Sequence, residues 1–204
     1  MARAYLPASG HHWLLFLYDP FMRLVGAEAF LRRLVERAGL RTGQRVLDVG
    51  CGTGTLAVLV KSLHPAVDVT GLDPDPRALA RARRKAMRAG VEVRLDEGFA
   101  DALPYAPASF DHVFSSFMLH HLPSAEKVAA LREARRVLRP AGTLELLDFG
   151  GAAKPRGPAA HGHLRDNFGS RIVTLMTEAG LAAACEVDHG RVLLLDVAFY
   201  RAAA

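Results

Sequence analysis

The sequence is poor in the features that mark secreted, membrane-spanning or disulfide-bonded proteins. Only two of its 204 residues are cysteine, Cys51 and Cys185, which is too few for a disulfide framework. No run of about 18 residues is both apolar and free of charge, so we expect no stable membrane insertion. The apolar piece near the N-terminus, WLLFLY, is shorter than the apolar region of a secretory signal. These shortages predict a cytoplasmic protein.

Acidic residues are fewer than basic ones, 21 against 26, which gives a formal charge of +5. Part of the excess falls at helical spacing within residues 77–88, on Arg77, Arg81, Arg84, Lys85 and Arg88. Such a basic face is one way to bind nucleic acid or anionic lipid. No aromatic residue for base stacking interleaves with these charges. We therefore interpret the face as solvated helix surface and expect no nucleic-acid partner.

Helix-type and strand-type patterns alternate along the chain. Strands are predicted at 45–49, 67–73, 91–97, 110–116 and 143–149, and helices at 27–38, 55–63, 74–90, 124–138 and 171–180. RPAG forms the turn into the fifth strand, Ser124 caps its helix, and two final strands within 181–202 turn at His189-Gly190. The alternation predicts an α/β fold. We expect a doubly wound, mostly parallel seven-stranded sheet with helices on both faces and an antiparallel last strand.

Three glycines mark the candidate ligand site at the first strand–helix corner. Residues 45–60 read RVLDVGCGTGTLAVLV and place Gly50, Gly52 and Gly54 between a strand and a helix. Ligands of open parallel sheets bind at the carboxyl ends of strands, near the switch in strand order. A dinucleotide site would need a glycine where Thr55 stands, and a nucleoside triphosphate site would need a lysine well before Lys61.

This corner and three later segments resemble, in order, the motifs of class I S-adenosylmethionine-dependent methyltransferases. The later segments are VTGLDPDPRAL, GFADALPYAPASFDHVFSSFMLHHL and VLRPAGTLELLDF. The resemblance covers roughly residues 28–200 and implies a Rossmann-like fold with S-adenosyl-L-methionine as the cofactor. Each motif alone is weak, but the four occur in register at the ends of the predicted strands.

The resemblance also implies which residues contact the cofactor. The glycines would let the backbone approach the ligand closely. Asp48 would organise the loop and the methionine ammonium. Asp73 would accept hydrogen bonds from the ribose hydroxyls, with a helix cap or a turn as the alternative role. The full expected set is Asp48, Gly50, Cys51, Gly52, Thr53, Gly54, Asp73, Pro74, Phe99, Ala100 and Ser116.

One position departs from the pattern of many relatives. They carry an aspartate for the adenine amine where GFADALP places Phe99. The backbone N–H of Ala100 would still reach the adenine ring, and Phe99 would add apolar contact. Asp101 is the alternative partner for the amine.

The segment SSFMLHHLP after the fourth strand resembles the small-molecule branch of the family, which includes quinone and sterol methyltransferases. It lacks the Asn/Asp-Pro-Pro-aromatic motif of nucleobase amine methylation, and neither cysteine lies in a Pro-Cys pair. We therefore expect methyl transfer to a small, lipophilic acceptor near Phe117, His120 and His121. Either histidine is a candidate general base, with His121 named first, and a role for His121 in shaping the loop is the alternative.

Within residues 1–26, the stretch HHWLLFLYDPFMRLVG, residues 11–26, resembles the segment that covers the cofactor in quinone-methylating relatives. We expect one domain, 1–204, in which residues 1–26 form a lid over a core of residues 27–204. Tyr18 would lie over the methionine end, with Trp13, Leu14, Phe16 and Phe21 lining the acceptor cavity, although plain packing on the sheet is the alternative. We expect no metal site, because no fixed geometry joins His11, His12, His161 and His163.

Two other functions are compatible with the same motifs. A non-catalytic S-adenosylmethionine-binding subunit could stabilise a partner enzyme, and the basic helix is compatible with an RNA methyltransferase. The sequence leaves open the acceptor, the methylated atom and the oligomeric state, for which a homodimer is compatible.

Overall fold

The computed structural model describes residues 26–151, 162–193 and 195–204. The five helices in this part are α1 (Ala27–Ala38), α2 (Thr55–Leu63), α3 (Pro76–Ala89), α4 (Ser124–Val137) and α5 (Arg171–Glu178). The strands are β1 (Arg45–Val49), β2 (Asp68–Asp73), β3 (Arg94–Glu97), β4 (Phe110–Ser116), β5 (Leu138–Phe149), β6 (Ala182–Val192) and β7 (Leu195–Ala203). Two 3-10 turns cover Leu119–His121 and Gly162–Asn167.

The seven strands form one sheet in the order β3-β2-β1-β4-β5-β7-β6. Strands β3, β2, β1, β4 and β5 are parallel to one another, and β7 runs antiparallel to both β5 and β6. The strand order reverses between β1 and β4, so the carboxyl ends of these two strands flank the switch point. The predicted fold class is confirmed, including the reversed last strand.

The sheet is covered on both faces because its strands alternate their apolar side chains. In β1, Val46 belongs to one buried cluster with residues of α1 and α2, and Leu47 belongs to the other with residues of α4 and α5. A strand buried on both sides reads as a continuous apolar run, and RVLDV fits that pattern. The carboxyl edge of the sheet is left as the place for a site.

Local signals fix the ends of α3, the helix after β2. Asp75 is its N-cap and accepts a hydrogen bond from the backbone N–H of Arg77 at 2.8 Å, with Pro76 in the first turn. Gly90 ends the helix in the left-handed conformation at φ 65°. Ser124 does not cap α4 as we expected: Pro123 is the N-cap, and the Ser124 hydroxyl instead donates to Asp166 at 2.6 Å.

The predicted turn at His189-Gly190 is wrong. Both residues pair with β7, opposite Ala198 and Val197, and β6 continues to Val192. A Cβ at Gly190 would collide with the ring of Phe30 on α1. The glycine is therefore explained by the close approach of a helix to the sheet rather than by a turn.

The predicted turn at RPAG is also incomplete. Strand β5 already begins at Leu138, which pairs with Phe110, and the register then shifts so that Thr143 pairs with His112. Ala141 has φ 66° within this irregular stretch. The extra residues form a bulge inside a longer strand, a feature that a Pro-Ala-Gly sequence does not distinguish from a turn.

No helix of the described ranges is long and apolar enough to cross a membrane. The proposed lid, including Tyr18, lies outside the described residues, as do His11, His12, His161 and the side chain of His163.

Candidate functional site

The three glycines after β1 have different structural roles. A Cβ at Gly50 would collide with the side chain of Met118, and one at Gly54 would come within 2.7 Å of Ala82 on α3. A Cβ at Gly52 would meet nothing within 4 Å among the described residues. All three have positive φ, from 52° to 76°. Gly50 and Gly54 therefore serve packing, and Gly52 faces open space that a ligand could fill.

Asp73, at the end of β2, holds the glycine loop. Its Oδ2 accepts from the backbone N–H of Gly52 at 2.8 Å, and its Oδ1 accepts from that of Asp75 at 2.9 Å. The alternative role as helix cap falls to Asp75, although Asp73 does brace the turn before α3. Burial raises the pKa of Asp73 above its ordinary value, and the two N–H donors lower it by a smaller amount. Each carboxylate oxygen keeps a second lone pair for a further donor.

Asp48 lies one strand away and is almost wholly buried. Neither of its carboxylate oxygens has a hydrogen-bond partner within the described part of the chain. Burial, together with the nearby Asp73 carboxylate, raises the pKa of Asp48 to about 7; the backbone N–H of Ala57 lies outside hydrogen-bond geometry but offsets part of that rise. An unpartnered buried carboxylate is costly, and a cationic ligand would remove that cost.

The remaining predicted loop residues support the corner rather than line it. The Cys51 thiol is buried against Gly71 of β2, so only its backbone is available to a ligand. Thr53 is buried, and its hydroxyl accepts from the Lys85 ammonium at 3.1 Å. Lys85 also donates to Thr55 at 2.6 Å. This lysine of the basic face is therefore bound to the loop and is not part of a free anionic-partner surface.

The segment after β3 carries Phe99, Ala100 and Asp101. Phe99 and Ala102 form an isolated antiparallel bridge, closed by the N–H of Ala102 to the Phe99 carbonyl at 3.2 Å. Asp101 lies near Glu133 of α4 and counteracts the lowering of that residue's pKa by Arg136. A position beside α4 makes Asp101 a weaker candidate for the adenine amine, in agreement with the register of the motif.

Strand β4 ends in a strained residue that redirects the chain. Phe117 follows Ser116 and has φ 51°, which is unusual for a bulky side chain. Its N–H donates to the Leu147 carbonyl at 2.8 Å, and its buried ring packs against Phe149, with ring centroids 5.2 Å apart. Phe117 is therefore part of the wall beneath the site, and its conformation turns the chain into the 3-10 turn that carries both histidines.

His120 and Asp148 form a pair that the sequence did not indicate. Asp148, near the end of β5, is 1% exposed and lies 2.6 Å from Nδ1 of His120. Its two oxygens also accept from the backbone N–H groups of Phe149 at 2.7 Å and His120 at 3.2 Å. Because an ionised carboxylate only accepts, Nδ1 of His120 carries the proton and Nε2 is the basic nitrogen. The His120 side chain is 16% exposed, so the pair reaches the surface of the site.

His121 packs against His120, with ring centroids 4.0 Å apart and the ring planes tilted by 40°. Burial and the neighbouring His120 lower the pKa of His121 to about 4. Its imidazole is therefore neutral and a weak base near neutral pH, which favours the structural role over the catalytic one. Of the two candidate bases, His120 is therefore favoured over His121. Asp148 was missed because LLDF reads as a buried strand and its partner is 28 residues away.

The geometry suits a ligand that has a cationic end and a sugar-like or other hydroxylated part. Asp48 offers an unpaired buried carboxylate, Gly52 offers open space, and Asp73 offers spare acceptor capacity at the next strand end. S-adenosylmethionine carries an ammonium, a sulfonium and two ribose hydroxyls, so these residues fit that group. His120 adds a proton acceptor at the end of β4 and β5, on the other side of the switch point.

Comparison with known proteins adds independent findings. Residues 46–142 match a protein family described as a methyltransferase domain. The chain is 42% identical over 135 residues to demethylmenaquinone methyltransferase of Thermus thermophilus, covering 65% of this chain and 60% of that protein. It is 37% identical over 147 residues to 27-O-demethylrifamycin SV methyltransferase of Amycolatopsis mediterranei, covering 71% and 53%. The chain thus spans little more than half the length of these relatives.

The fold is similar to a crystal structure of a SAM-dependent methyltransferase from Aquifex aeolicus. The TM-score is 0.69 at 20% identity, over 85% of this chain and 89% of that one. The family match spans β1 to the bulge of β5, which includes the glycine corner, Asp73 and both histidines.

Proposed function

We propose that this chain is a class I S-adenosylmethionine-dependent methyltransferase that transfers a methyl group from S-adenosylmethionine to a small, lipophilic acceptor. The observation that carries the proposal is the arrangement of Asp48, Gly52 and Asp73. An unpartnered buried carboxylate, a glycine facing open space and a strand-end carboxylate lie together at the glycine corner. When bound, the cofactor supplies a methyl group made electrophilic by its sulfonium.

The protein's own residues hold and orient the reactants. Asp48 binds the ammonium, and Asp73 accepts from the ribose hydroxyls while it fixes the N–H of Gly52. The backbone at Gly50, Cys51, Thr53, Gly54 and Pro74 shapes the pocket, and Phe99, Ala100 and Ser116 complete it. Orientation of this kind provides most of the acceleration in a direct transfer, because the chemistry itself needs only alignment and exclusion of water.

His120 is the proposed general base. Asp148 accepts from Nδ1 and so leaves Nε2 to take a proton from an acceptor hydroxyl or amine. His121 and Phe117 confine the same space, and Tyr18 of the N-terminal segment is proposed to close it. A base is needed where the acceptor loses a proton, so this pair favours an ionisable acceptor such as a phenol or quinol.

The proposal of a small acceptor is supported by the relatives, whose names specify demethylmenaquinone and 27-O-demethylrifamycin SV. A cytoplasmic location remains part of the proposal and is consistent with two unpaired cysteines. The alternatives are a non-catalytic cofactor-binding subunit and an RNA methyltransferase. The engagement of Lys85 with the glycine loop reduces the support for the latter.

The test is transfer of labelled methyl from S-adenosylmethionine to a panel of phenols, quinols, amines and RNA. We expect label in a lipophilic phenol or quinol and none in RNA. His120→Gln should reduce turnover about 100-fold or more with cofactor affinity retained. His189→Gln, on the exposed edge strand, is the matched control and should be fully active.

Three results would contradict the proposal. Label in RNA alone would favour the RNA methyltransferase alternative. Cofactor binding without any product, even with a cell extract as acceptor, would favour the non-catalytic subunit. Equal turnover in His120→Gln and wild type would remove the proposed base.

A further inference from the structure

A cluster of buried polar side chains lies behind the His120–Asp148 pair. Lys127 of α4, Asn167 of the second 3-10 turn and Tyr200 of β7 are all 0% exposed, and Asp148 is 1% exposed. None of the first three was indicated by the sequence. Lysine is almost never fully buried unless it has a partner, so a buried ammonium next to a candidate active site needs an explanation.

Hydrogen bonds tie Lys127 to the chain around Asp148. Its ammonium donates to Asn167 Oδ1 at 2.6 Å, and Asn167 Nδ2 donates to the carbonyl of Phe149 at 3.0 Å. Phe149 in turn donates its N–H to Asp148 Oδ1, the same oxygen that His120 contacts. A continuous chain of contacts therefore joins a buried cation to the carboxylate that orients the base.

Lys127 lies among both acidic and basic groups. Burial is the largest influence and, with Arg171, lowers the pKa of Lys127 below its ordinary value, whereas Asp148 and Asp166 oppose that lowering. Two carboxylates thus lie within electrostatic reach of one ammonium. Removing one member of a buried charge set leaves the others uncompensated, which is more costly than never burying them.

We propose that Lys127 is a positioning residue of the proposed methyl transfer: its ammonium, fixed by Asn167, is the buried counter-charge of the Asp148 carboxylate behind His120. The link between Lys127 and methyl transfer rests on the proposed function; the charge arrangement around Asp148 does not. When His120 takes a proton from the acceptor, Asp148 stabilises the resulting imidazolium, and Lys127 balances the carboxylate while the imidazole is neutral.

A purely structural role is the competing explanation. Lys127 and Ser124 both join α4 to the second 3-10 turn, through Asn167 and Asp166, and could serve as anchors for the chain returning to α5. Ser124→Ala therefore provides a matched control, since it weakens the same junction and removes no charge. A charge effect and an anchoring effect are separated by the titration of His120.

Other ionisable groups around the pair must be considered in that titration. His121 packs against His120, Asp166 and Arg171 face Lys127, and Tyr200 and Glu186 lie on the β7–β6 side of Asp148. The pKa of Tyr200 is raised by burial, by Glu186 and by Asp148, so its phenol stays neutral while His120 titrates. His121→Gln, made in each background, removes the neighbouring imidazole, which has chemistry similar to that of His120.

The experiment follows the His120 ring by NMR across pH in the full chain, without any acceptor. Lys127→Met should move the titration midpoint upward by about one pH unit, because losing a nearby cation favours the protonated imidazole. Lys127→Arg should restore the wild-type midpoint. Ser124→Ala should lower the melting temperature but leave the His120 titration midpoint unchanged. A Lys127→Met midpoint equal to wild type would overturn the proposal.

A second measurement needs no variant. In the wild-type protein, nitrogen-15 NMR of the Lys127 side chain should show an ammonium throughout the pH range in which His120 titrates. A neutral amine in that range would overturn the proposal even if every variant failed to fold. Failure of the proposed function would differ: the titrations would behave as expected while no labelled methyl reached any acceptor.

Discussion

At the scale of single residues, the two strand-end aspartates do different work. Asp73 is already engaged by two backbone N–H groups and acts as the brace of the loop, whereas Asp48 has no such partner in the described structure. The glycines, Asp48 and Asp73 were predictable from the sequence because they lie in short, local motifs. His120–Asp148 and Lys127–Asn167 were not, because each pair is joined only by the fold, across 28 and 40 residues.

Cofactor affinity should rise with pH through the titration of Asp48. Its pKa of about 7 in the free protein means that the carboxyl is largely protonated in weak acid. A bound ammonium favours the ionised form, so binding releases a proton below this pKa and affinity increases with pH up to about 7, then levels off. Calorimetry in buffers from about pH 5.5 to 7.5 measures the slope. Asp48→Asn should bind the cofactor more weakly and should reduce the slope of affinity against pH. An unchanged slope would mean that the proton released on binding comes from another group.

Asp73→Ala should weaken S-adenosylmethionine binding at least about tenfold, because charge-assisted hydrogen bonds contribute about 1.5–3 kcal/mol. The loss includes the brace on Gly52 as well as the ribose contact. Calorimetry with circular dichroism as a fold check measures this effect. Asp68→Ala, at the exposed opposite end of the same strand, is the control and should bind normally. Equal affinity in the two variants would mean that the ribose is held elsewhere.

At the scale of elements, the sequence-based predictions were right for the strands and wrong for some of the connections between them. The sequence located all seven strands, because their apolar runs reflect burial on both faces. It misplaced the β6–β7 turn, since Gly190 looks like a turn residue but is required by the ring of Phe30. It also missed the 3-10 turn that carries His120, which depends on the positive φ of Phe117.

Deleting residues 1–22 should leave a folded domain, because the sheet and its helices are formed by residues from Ala27 onward. Cofactor affinity should fall modestly. Methyl transfer to a lipophilic phenol or quinol should fall far more, because the proposed apolar cover, which includes Tyr18, would exclude water. Turnover and affinity of both forms, measured side by side, test the lid. Full turnover after truncation would refute it, and an unfolded product would favour core packing by these aromatic residues.

At the scale of the whole molecule, the strand order explains why these residues meet. The reversal between β1 and β4 leaves the glycine corner on one side and the His120 turn on the other, with Asp148 next to it at the end of β5. The alternation of helices and strands was sufficient to predict this architecture. The identity of the acceptor does not follow from the architecture, because one fold serves many substrates and specificity depends on the side chains around the pocket.

The most direct test of the whole account is a calorimetric titration of S-adenosylmethionine into three proteins: wild type, Gly52→Val and Gly43→Val. Both glycines have positive φ and open space at the Cβ position, so the two variants carry similar backbone strain. Only Gly52 lies at the glycine corner. The account predicts that wild type and Gly43→Val bind the cofactor, and that folded Gly52→Val does not. Binding by Gly52→Val with wild-type affinity would contradict it.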